Sequence, residues 1–155
     1  MKPEAPAASV APEPTAVLHP LREGGAAAIA GWYGKAILLA GSLLPVGDLF
    51  DSTDRQRTLI LEAHTEEPAG VMAVALDNPE PGWATVTLLA IAAQEQRDLA
   101  AEAIALLEAR LRGEASHIRA AVPLDVGLAL YFWLRLGYRP VVSGQRLWMM
   151  RDLDA

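Results

Sequence analysis

The segment from Glu95 to Gly113 constrains the fold of this chain more than any other part of the sequence. Apolar residues recur there at the spacing of one helical face, while charged residues occupy the other faces, which predicts an amphipathic helix. Acidic residues fall in its first turn and basic residues in its last, and this order matches the helix macrodipole. Strand-like runs precede and follow the segment, so we expect the helix to pack on a sheet.

Shorter runs of β-branched and apolar residues, separated by turns rich in Gly, Pro and Asn, predict that sheet. The predicted strands are Ala16–Leu21, Thr58–Ala63, Gly70–Asp77, Trp83–Ala92, His117–Val122 and two closing strands within Tyr138–Asp152 that turn at Ser143 and Gly144. The other predicted elements are a helix in two pieces over Ala26–Leu44, a loop over Pro45–Gln56, and a helix over Asp125–Leu136 with Asp125 as its cap and Gly137 as its end.

The order of these elements defines the fold class. It runs strand, helix, helix, three strands, helix, strand, helix and two closing strands. Strands and helices are mixed along the chain, with a strand meander first and a helix–strand alternation later. The sequence therefore predicts an α/β or α+β domain with a mixed sheet, one side of which is packed by the long helix.

Composition and charge exclude several classes of protein. The 155 residues make one ordinary domain. Lys and Arg number 13 against 19 Asp and Glu, and the resulting net charge of −6 argues against nucleic acid as a partner. The chain has no cysteine, which excludes disulfides, thiol catalysis and Cys-ligated zinc, and its three scattered histidines predict no metal site.

The first fifteen residues differ from the rest. They contain four Pro and four Ala and no apolar signal segment, so we expect a flexible tail over residues 1–15 before a domain over residues 16–155. Gly24–Val46 is apolar enough to raise the question of a membrane span, but Lys35 and several glycines interrupt it. We expect no membrane span and a cytoplasmic location.

A helix-to-strand pattern near the C-terminus carries a family resemblance. Phe132 and Trp133 are followed by three residues and then by Gly137 and Tyr138. Glycine there would end the helix in a left-handed conformation, although many unrelated helices end in this way. Together with the element order, the pattern resembles the GNAT superfamily of acyl-CoA-dependent N-acetyltransferases, from about Val17 to the C-terminus. The resemblance implies a mostly antiparallel central sheet of about six to seven strands flanked by about four helices.

The family's acyl-CoA signature, Q/R-x-x-G-x-G/A, has a partial counterpart at the start of the long helix. Gln96 and Ala101 fit the signature, whereas Leu99 stands where the family has glycine. By this resemblance, acetyl-CoA is the co-substrate. Its pyrophosphate would bind Gln96, Arg97, Asp98, Leu99, Ala100 and Ala101, and its pantetheine arm would bind the backbone of Ile91 and Ala93. Backbone N–H groups at a helix start attract anions. The alternative is that the acidic residues here only stabilise the helix terminus.

The resemblance also implies a reaction in which an amine attacks the thioester carbonyl directly, and this reaction needs a base and an acid. The family position of an acidic tyrosine holds Trp133, whose N–H is too weak an acid. Tyr131 lies on another side of the predicted helix. The strand Trp83–Ala92 contains no carboxylate, and the nearest titratable groups are Glu62, His64 and Asp77. The catalytic candidates are Glu62 and Tyr131, although a solvated strand edge equally explains Glu62.

The expected function is transfer of an acetyl group from acetyl-CoA to an amine of unknown identity. Two alternatives stay open: a catalytically inactive scaffold or interaction subunit with this fold, and a sensor that binds acyl-CoA without turnover. The apolar run Leu147–Met150 is either plain core or a surface that contacts a second copy or another partner, as the N-terminal tail could also do.

Overall fold

A computed structural model describes residues 15–21, 26–45 and 55–153. Its strands are β1 (Ala16–Pro20), β2 (Ile37–Gly41), β3 (Arg55–Glu62), β4 (Pro68–Leu76), β5 (Trp83–Ile91), β6 (His117–Val122), β7 (Arg139–Ser143) and β8 (Arg146–Asp152). Its α-helices are α1 (Ala26–Ile29), α2 (Arg97–Leu111) and α3 (Gly127–Arg135), and short 3-10 helices lie at Tyr33–Lys35 and Gln94–Gln96.

The eight strands form one sheet in the order β1-β3-β4-β5-β6-β8-β7, with β2 paired to β5 outside this path. The β5–β6 pair is parallel, and the other strand pairs are antiparallel. Helix α2 supplies the crossover that a parallel pair requires. The predicted mixed, mostly antiparallel sheet is confirmed, with eight strands and three α-helices among the described residues.

The two faces of the sheet are covered unequally. Helices α2 and α3 cover one face and form the larger hydrophobic cluster with residues from all the central strands. On the opposite face, the smaller cluster lies over β3, β4 and β5, with Leu38 of β2 packed against it, and α1 and the following turn cover it; its buried members are Ile29, Tyr33, Leu59, Val71, Ala73, Leu88 and Ala90. The corresponding face of β6 carries half-buried residues, His117, Arg119 and Ala121.

The helix predicted over Ala26–Leu44 is wrong. Only α1 and one 3-10 turn are helical there, and Ile37–Gly41 is a strand. Gly31 and Gly34 weaken a continuous helix, and the short apolar run after Lys35 has the length of a buried strand. The predicted loop before residue 57 is also too long, because β3 begins at Arg55. Residues 1–14 of the tail predicted over residues 1–15, and residues 46–54 of the predicted loop, lie outside the described part of the chain.

The second helix prediction needs a smaller correction. Helix α3 begins at Gly127, and its N-cap residue is Val126 in extended conformation without a side-chain hydrogen bond, so Asp125 is not the cap. The predicted end is confirmed. Gly137 has φ +89°, and its N–H donates to the carbonyl of Leu134 at 3.0 Å. A left-handed glycine closes the helix, as its position after the aromatic pair predicted.

Tyr138 links the end of α3 to the core. Its hydroxyl donates to Glu108 Oε2 at 2.5 Å, and Arg151 Nη1 lies 3.3 Å from Glu108 Oε1. Burial and the hydrogen bond with Glu108 raise the pKa of Tyr138 far above its usual range. The neutral tyrosine and the arginine therefore satisfy a buried carboxylate on α2 from two other elements.

No helix among the described residues is both long and apolar enough to span a bilayer.

Candidate functional site

Strands β5 and β6 separate towards their carboxyl ends. They pair over four residues, from Trp83 with His117 to Val86 with Ala120. Beyond this point β5 runs on from Thr87 to Ile91, and β6 ends at Val122. The gap between these two strand ends is called the wedge below.

Strand β2 fills the wedge. It pairs antiparallel with the second half of β5, from Ile37 opposite Ile91 to Gly41 opposite Leu88. That half of β5 pairs with β4 on its other side, where Ile91 is opposite Gly70. The backbone of Ile91, predicted to bind a pantetheine arm, is therefore flanked by strands on both sides. In this structure the wedge is filled by the chain's own strand β2, so it has no room for a pantetheine arm at the same time.

Gly41 lies at the narrow end of the wedge. It has φ +73°, and a Cβ built on it would lie 1.8 Å from the carbonyl oxygen of Thr87. No side chain can occupy that position without a shift of the backbone. The absence of a side chain at residue 41 is thus the local condition that lets β2 approach β5 this closely.

Trp133 holds β2 from the helix side. The pairing of β2 shifts by one residue between Leu38 and Ala40, which leaves Leu39 without a partner in β5. The indole Nε1 of Trp133 donates to the carbonyl of Leu39 at 2.8 Å, and both residues are fully buried. The residue at the family's acid position therefore uses its polar group to hold β2.

The predicted pyrophosphate loop is helical. The 3-10 helix ends at Gln96 and α2 starts at Arg97, while the backbone N–H of Gln96 donates to the carbonyl of Ala93 at 3.0 Å. Leu99 and Ala100 pack into the larger hydrophobic cluster. The buried Oε1 of Gln96 has no hydrogen-bond partner among the described residues.

Arg97, Asp98 and Ala101 face a small cleft between α2 and α3. This helix cleft has a volume of about 140 Å³, and its other lining residues are Leu128, Tyr131, Phe132, Arg135 and Leu136. Neither arginine forms an ion pair with a described residue. Two guanidinium groups and the carboxylate of Asp98 therefore line this cleft beside the start of α2.

The catalytic candidates lie apart from the wedge. Glu62 ends β3, two strands from β5, and its carboxylate accepts hydrogen bonds from the backbone N–H groups of His64 and Thr65 at 2.8 and 3.0 Å. These bonds, that of Thr65 first, lower the pKa of Glu62. Tyr131 is 56 % exposed at the helix cleft, with the Arg135 guanidinium 5.7 Å from its ring centroid. The structure brings neither residue to the wedge.

His117 and Asp77 each have a structural contact. His117 Nδ1 lies 2.8 Å from Asp152 Oδ1, and the ring of His117 lies 4.5 Å from that of Trp83. Asp77 accepts a hydrogen bond from the N–H of Gly82 at 3.4 Å. Within the part of the chain that the structure describes, no group of three His, Asp or Glu side chains could hold a metal ion.

A larger cleft, called the arginine cleft below, opens on the sparsely covered face of the sheet. It has a volume of about 730 Å³ and reaches the narrow end of the wedge at Gly41 and Thr87. Its other lining residues are Ser42, Leu44, Asn78, Thr85, Val86, Arg119, Ala121, Val122, Pro123, Leu124, Asp125, Gln145, Arg146, Leu147 and Trp148. Sequence reasoning missed this site because Arg119 and Trp148 belong to different strands and show no shared local pattern.

The fold is that of known acetyltransferases. An acetyltransferase from Thermus thermophilus superposes with a TM-score of 0.72 at 24% identity, covering 89% of this chain and 97% of that one. The ribosomal-protein-S18-alanine N-acetyltransferase from Escherichia coli gives a TM-score of 0.66 at 11% identity, covering 90% and 95%. A GCN5-related N-acetyltransferase from Kribbella flavida gives 0.64 at 15%, covering 89% and 98%.

No family model matches the sequence, and no curated protein matches it either. The structural likeness nevertheless extends over almost the whole length of these neighbours. The chain has the fold of the GNAT superfamily. The predicted resemblance is confirmed at the level of the fold.

Proposed function

We propose that this chain is an acyl-CoA-dependent N-acyltransferase whose donor site is closed by β2 and opens when β2 leaves the wedge. The donor would be acetyl-CoA, the acceptor an amine that attacks the thioester carbonyl directly, and the expected location the cytoplasm. The observation that supports the proposal is the wedge itself, which holds an extended, amide-bearing chain beside β5. A pantetheine arm is also an extended chain with amide groups.

Displacement of β2 would free the groups that a donor needs. The backbone edge of β5 around Ile91 and the N–H of Trp133 would lose their partners in β2. Arg97 and Arg135 in the helix cleft would hold phosphate groups. We propose the residues from Gln96 to Ala101, with Ile91 and Ala93, as the donor-binding set. Glu62 and Tyr131 lie outside the wedge, so we propose neither of them as the base or the acid.

Opening has a cost that lowers donor affinity. Leu39 and Ala40 are fully buried in β2, and exposing a leucine side chain costs about 1.5–3 kcal/mol. When a site is open only for a small fraction of the time, its apparent affinity is the intrinsic affinity multiplied by that fraction. A change that weakens β2 without touching the donor-binding residues should therefore tighten donor binding.

A second candidate is a catalytically inactive scaffold or interaction subunit with this fold. It is favoured by the full burial of Leu39 and Trp133, which makes β2 part of the core. It is also favoured by Leu99, whose side chain stands where the family signature has glycine. On this interpretation the wedge never opens to a donor.

The test is calorimetric titration of acetyl-CoA into the wild-type chain and the variant Ile37→Pro. Ile37 is the half-buried first residue of β2 and lies at the open end of the wedge. Proline there removes the backbone N–H and weakens the strand. We expect the variant to bind acetyl-CoA about tenfold more tightly, which corresponds to about 1.4 kcal/mol. Val17→Pro is the matched control, because it weakens the edge strand β1 away from the wedge, and it should leave the affinity unchanged.

Absence of binding at millimolar acetyl-CoA in both the wild type and Ile37→Pro contradicts the proposal and favours the second candidate. Where binding occurs, release of CoA is measured with a thiol reagent in the presence of amino acids and an alanine-terminated peptide. The chain contributes no background in this assay because it has no cysteine.

A further inference from the structure

Arg119 in the arginine cleft is a half-buried cation without a carboxylate partner among the described residues. Burial, and then repulsion from Arg146, lower the pKa of its guanidinium. Removing a cation from water is costly unless an opposite charge compensates it. The described lining of the cleft contains one carboxylate, Asp125, and no ion pair joins it to either arginine.

The Arg119 guanidinium is held in a fixed orientation. Its Nε donates to Thr85 Oγ1 at 3.0 Å, and its Nη2 donates to Asn78 Oδ1 at 3.4 Å. Thr85 in turn donates from Oγ1 to the carbonyl of Asn78 at 2.7 Å, so these two residues form a connected support. Arg119 Cζ also lies 3.7 Å from the ring centroid of Trp148. A guanidinium restrained in this way loses little freedom when it binds an anion.

Arg146 brings a second positive charge to the same place. Its Cζ lies 5.8 Å from the Trp148 ring centroid, and its side chain is exposed. Both guanidinium groups therefore flank one aromatic ring at the wall of the cleft. This local concentration of positive charge occurs in a chain whose net charge is −6.

We infer that the arginine cleft binds a small molecule through a carboxylate or phosphate group held by Arg119 and Arg146. Both groups offer the planar or tetrahedral oxygens that guanidinium binds by paired hydrogen bonds. The inference stands whether or not the wedge opens to a donor. A second part of the inference rests on the proposed function. Because the cleft reaches the narrow end of the wedge, the acceptor would be an amine that also carries such an anionic group.

The experiment is calorimetric titration of the full chain, without CoA, with succinate, inorganic phosphate and uncharged succinamide. We expect succinate or phosphate to bind, with affinity falling as salt rises, and succinamide not to bind. The anion that binds with the higher affinity shows whether the cleft prefers a carboxylate or a phosphate group. Arg119→Gln and Arg146→Gln should each weaken that binding by about tenfold or more.

Arg110→Gln is the matched control, because Arg110 is exposed on α2 and does not line the cleft; it should bind as the wild type does. Arg146→Gln keeps the test valid if Arg119→Gln unfolds, since the side chain of Arg146 is exposed. Failure of both anions to bind at millimolar concentration overturns the inference. So does equal binding by succinamide, or binding that neither arginine variant weakens.

A further outcome concerns the chain's own carboxylates. Residues 46–54 contain Asp48, Asp51 and Asp54. If the wild type binds neither anion and the triple change of these residues to Asn creates binding, the arginines serve an internal contact and the inference is wrong. Failure of the proposed acyl transfer would not affect any of these measurements, because none of them uses acetyl-CoA.

Discussion

Gly41 and Trp133 show how two residues fix the state of the wedge. Gly41 allows β2 to enter its narrow end, and Trp133 hydrogen-bonds the carbonyl of Leu39, the residue that the shifted register leaves without a partner residue in β5. Neither contact can be replaced by a neighbour, because one depends on the absence of a side chain and the other on a buried N–H at a fixed position.

The change Gly41→Ala should destabilise the chain by about 2 kcal/mol or more, since it combines a left-handed backbone with a collision against Thr87. The measurement is the free energy of unfolding from urea titration. Gly34→Ala is the control, because Gly34 is exposed, a Cβ there meets nothing within 4 Å, and its φ is not positive. Equal effects of the two changes would contradict this account of Gly41.

At the scale of elements, α2 anchors the first strand through one carboxylate. Glu102 accepts hydrogen bonds from the backbone N–H of Thr15 at 2.8 Å and of Ala16 at 3.2 Å, and from the hydroxyl of Thr15. Burial raises the pKa of Glu102, but these hydrogen bonds outweigh it, so the pKa lies below the ordinary value of 4.5. The charged form therefore stabilises the folded chain.

This lowered pKa predicts a pH dependence of stability. The contribution of Glu102 is present above about pH 4.5 and is lost as the pH falls, because the unfolded chain then takes up a proton more readily than the folded one. Glu102→Gln should be less stable than the wild type at neutral pH, and the difference should shrink towards about pH 3. Urea midpoints over this range measure it. The control is Glu80→Gln, because Glu80 is an exposed loop residue outside the helices and its side chain has no described hydrogen bond; its urea midpoint should follow that of the wild type over the whole range.

The elements also show which parts of the fold the sequence could predict. Helix α2 and the Gly137 helix end were predictable because their signals are local: a helical period, and a glycine after an aromatic pair. Strand β2 was not, because its strand state depends on a gap between β5 and β6 that no nearby residue encodes. Arg119 was missed for the same reason, since Thr85, Asn78 and Trp148 reach it from distant parts of the chain.

At the scale of the whole molecule, the two faces of the sheet differ in how much of their area is covered by hydrophobic packing. One face carries the larger hydrophobic cluster under α2 and α3, while the smaller cluster covers the opposite face over β2, β3, β4 and β5. The remaining area of that face, over β6 and β8, holds the arginine cleft. Stability therefore rests mainly on one side of the sheet, and the binding site that we infer lies on the other.

The exposed edge strand β7 predicts the oligomeric state. Val142 is 75 % exposed there, but Pro140 has no N–H to offer a partner strand and Arg139 adds charge, both of which oppose edge pairing. We expect a monomer in sedimentation velocity. Pro140→Thr should self-associate as concentration rises, whereas Val142→Asp should stay monomeric. A wild-type dimer that Val142→Asp dissociates would instead assign β7 to a contact surface.

The bond between the Trp133 indole and the Leu39 carbonyl has a consequence beyond packing. The indole proton can exchange with solvent deuterium only while that bond is broken, and Trp133 is otherwise enclosed by Phe132 and Tyr138. Its exchange rate therefore depends on the fraction of molecules in which β2 is displaced from the wedge. A single resolved proton signal would report the opening equilibrium of the wedge in the resting chain, before any substrate is known.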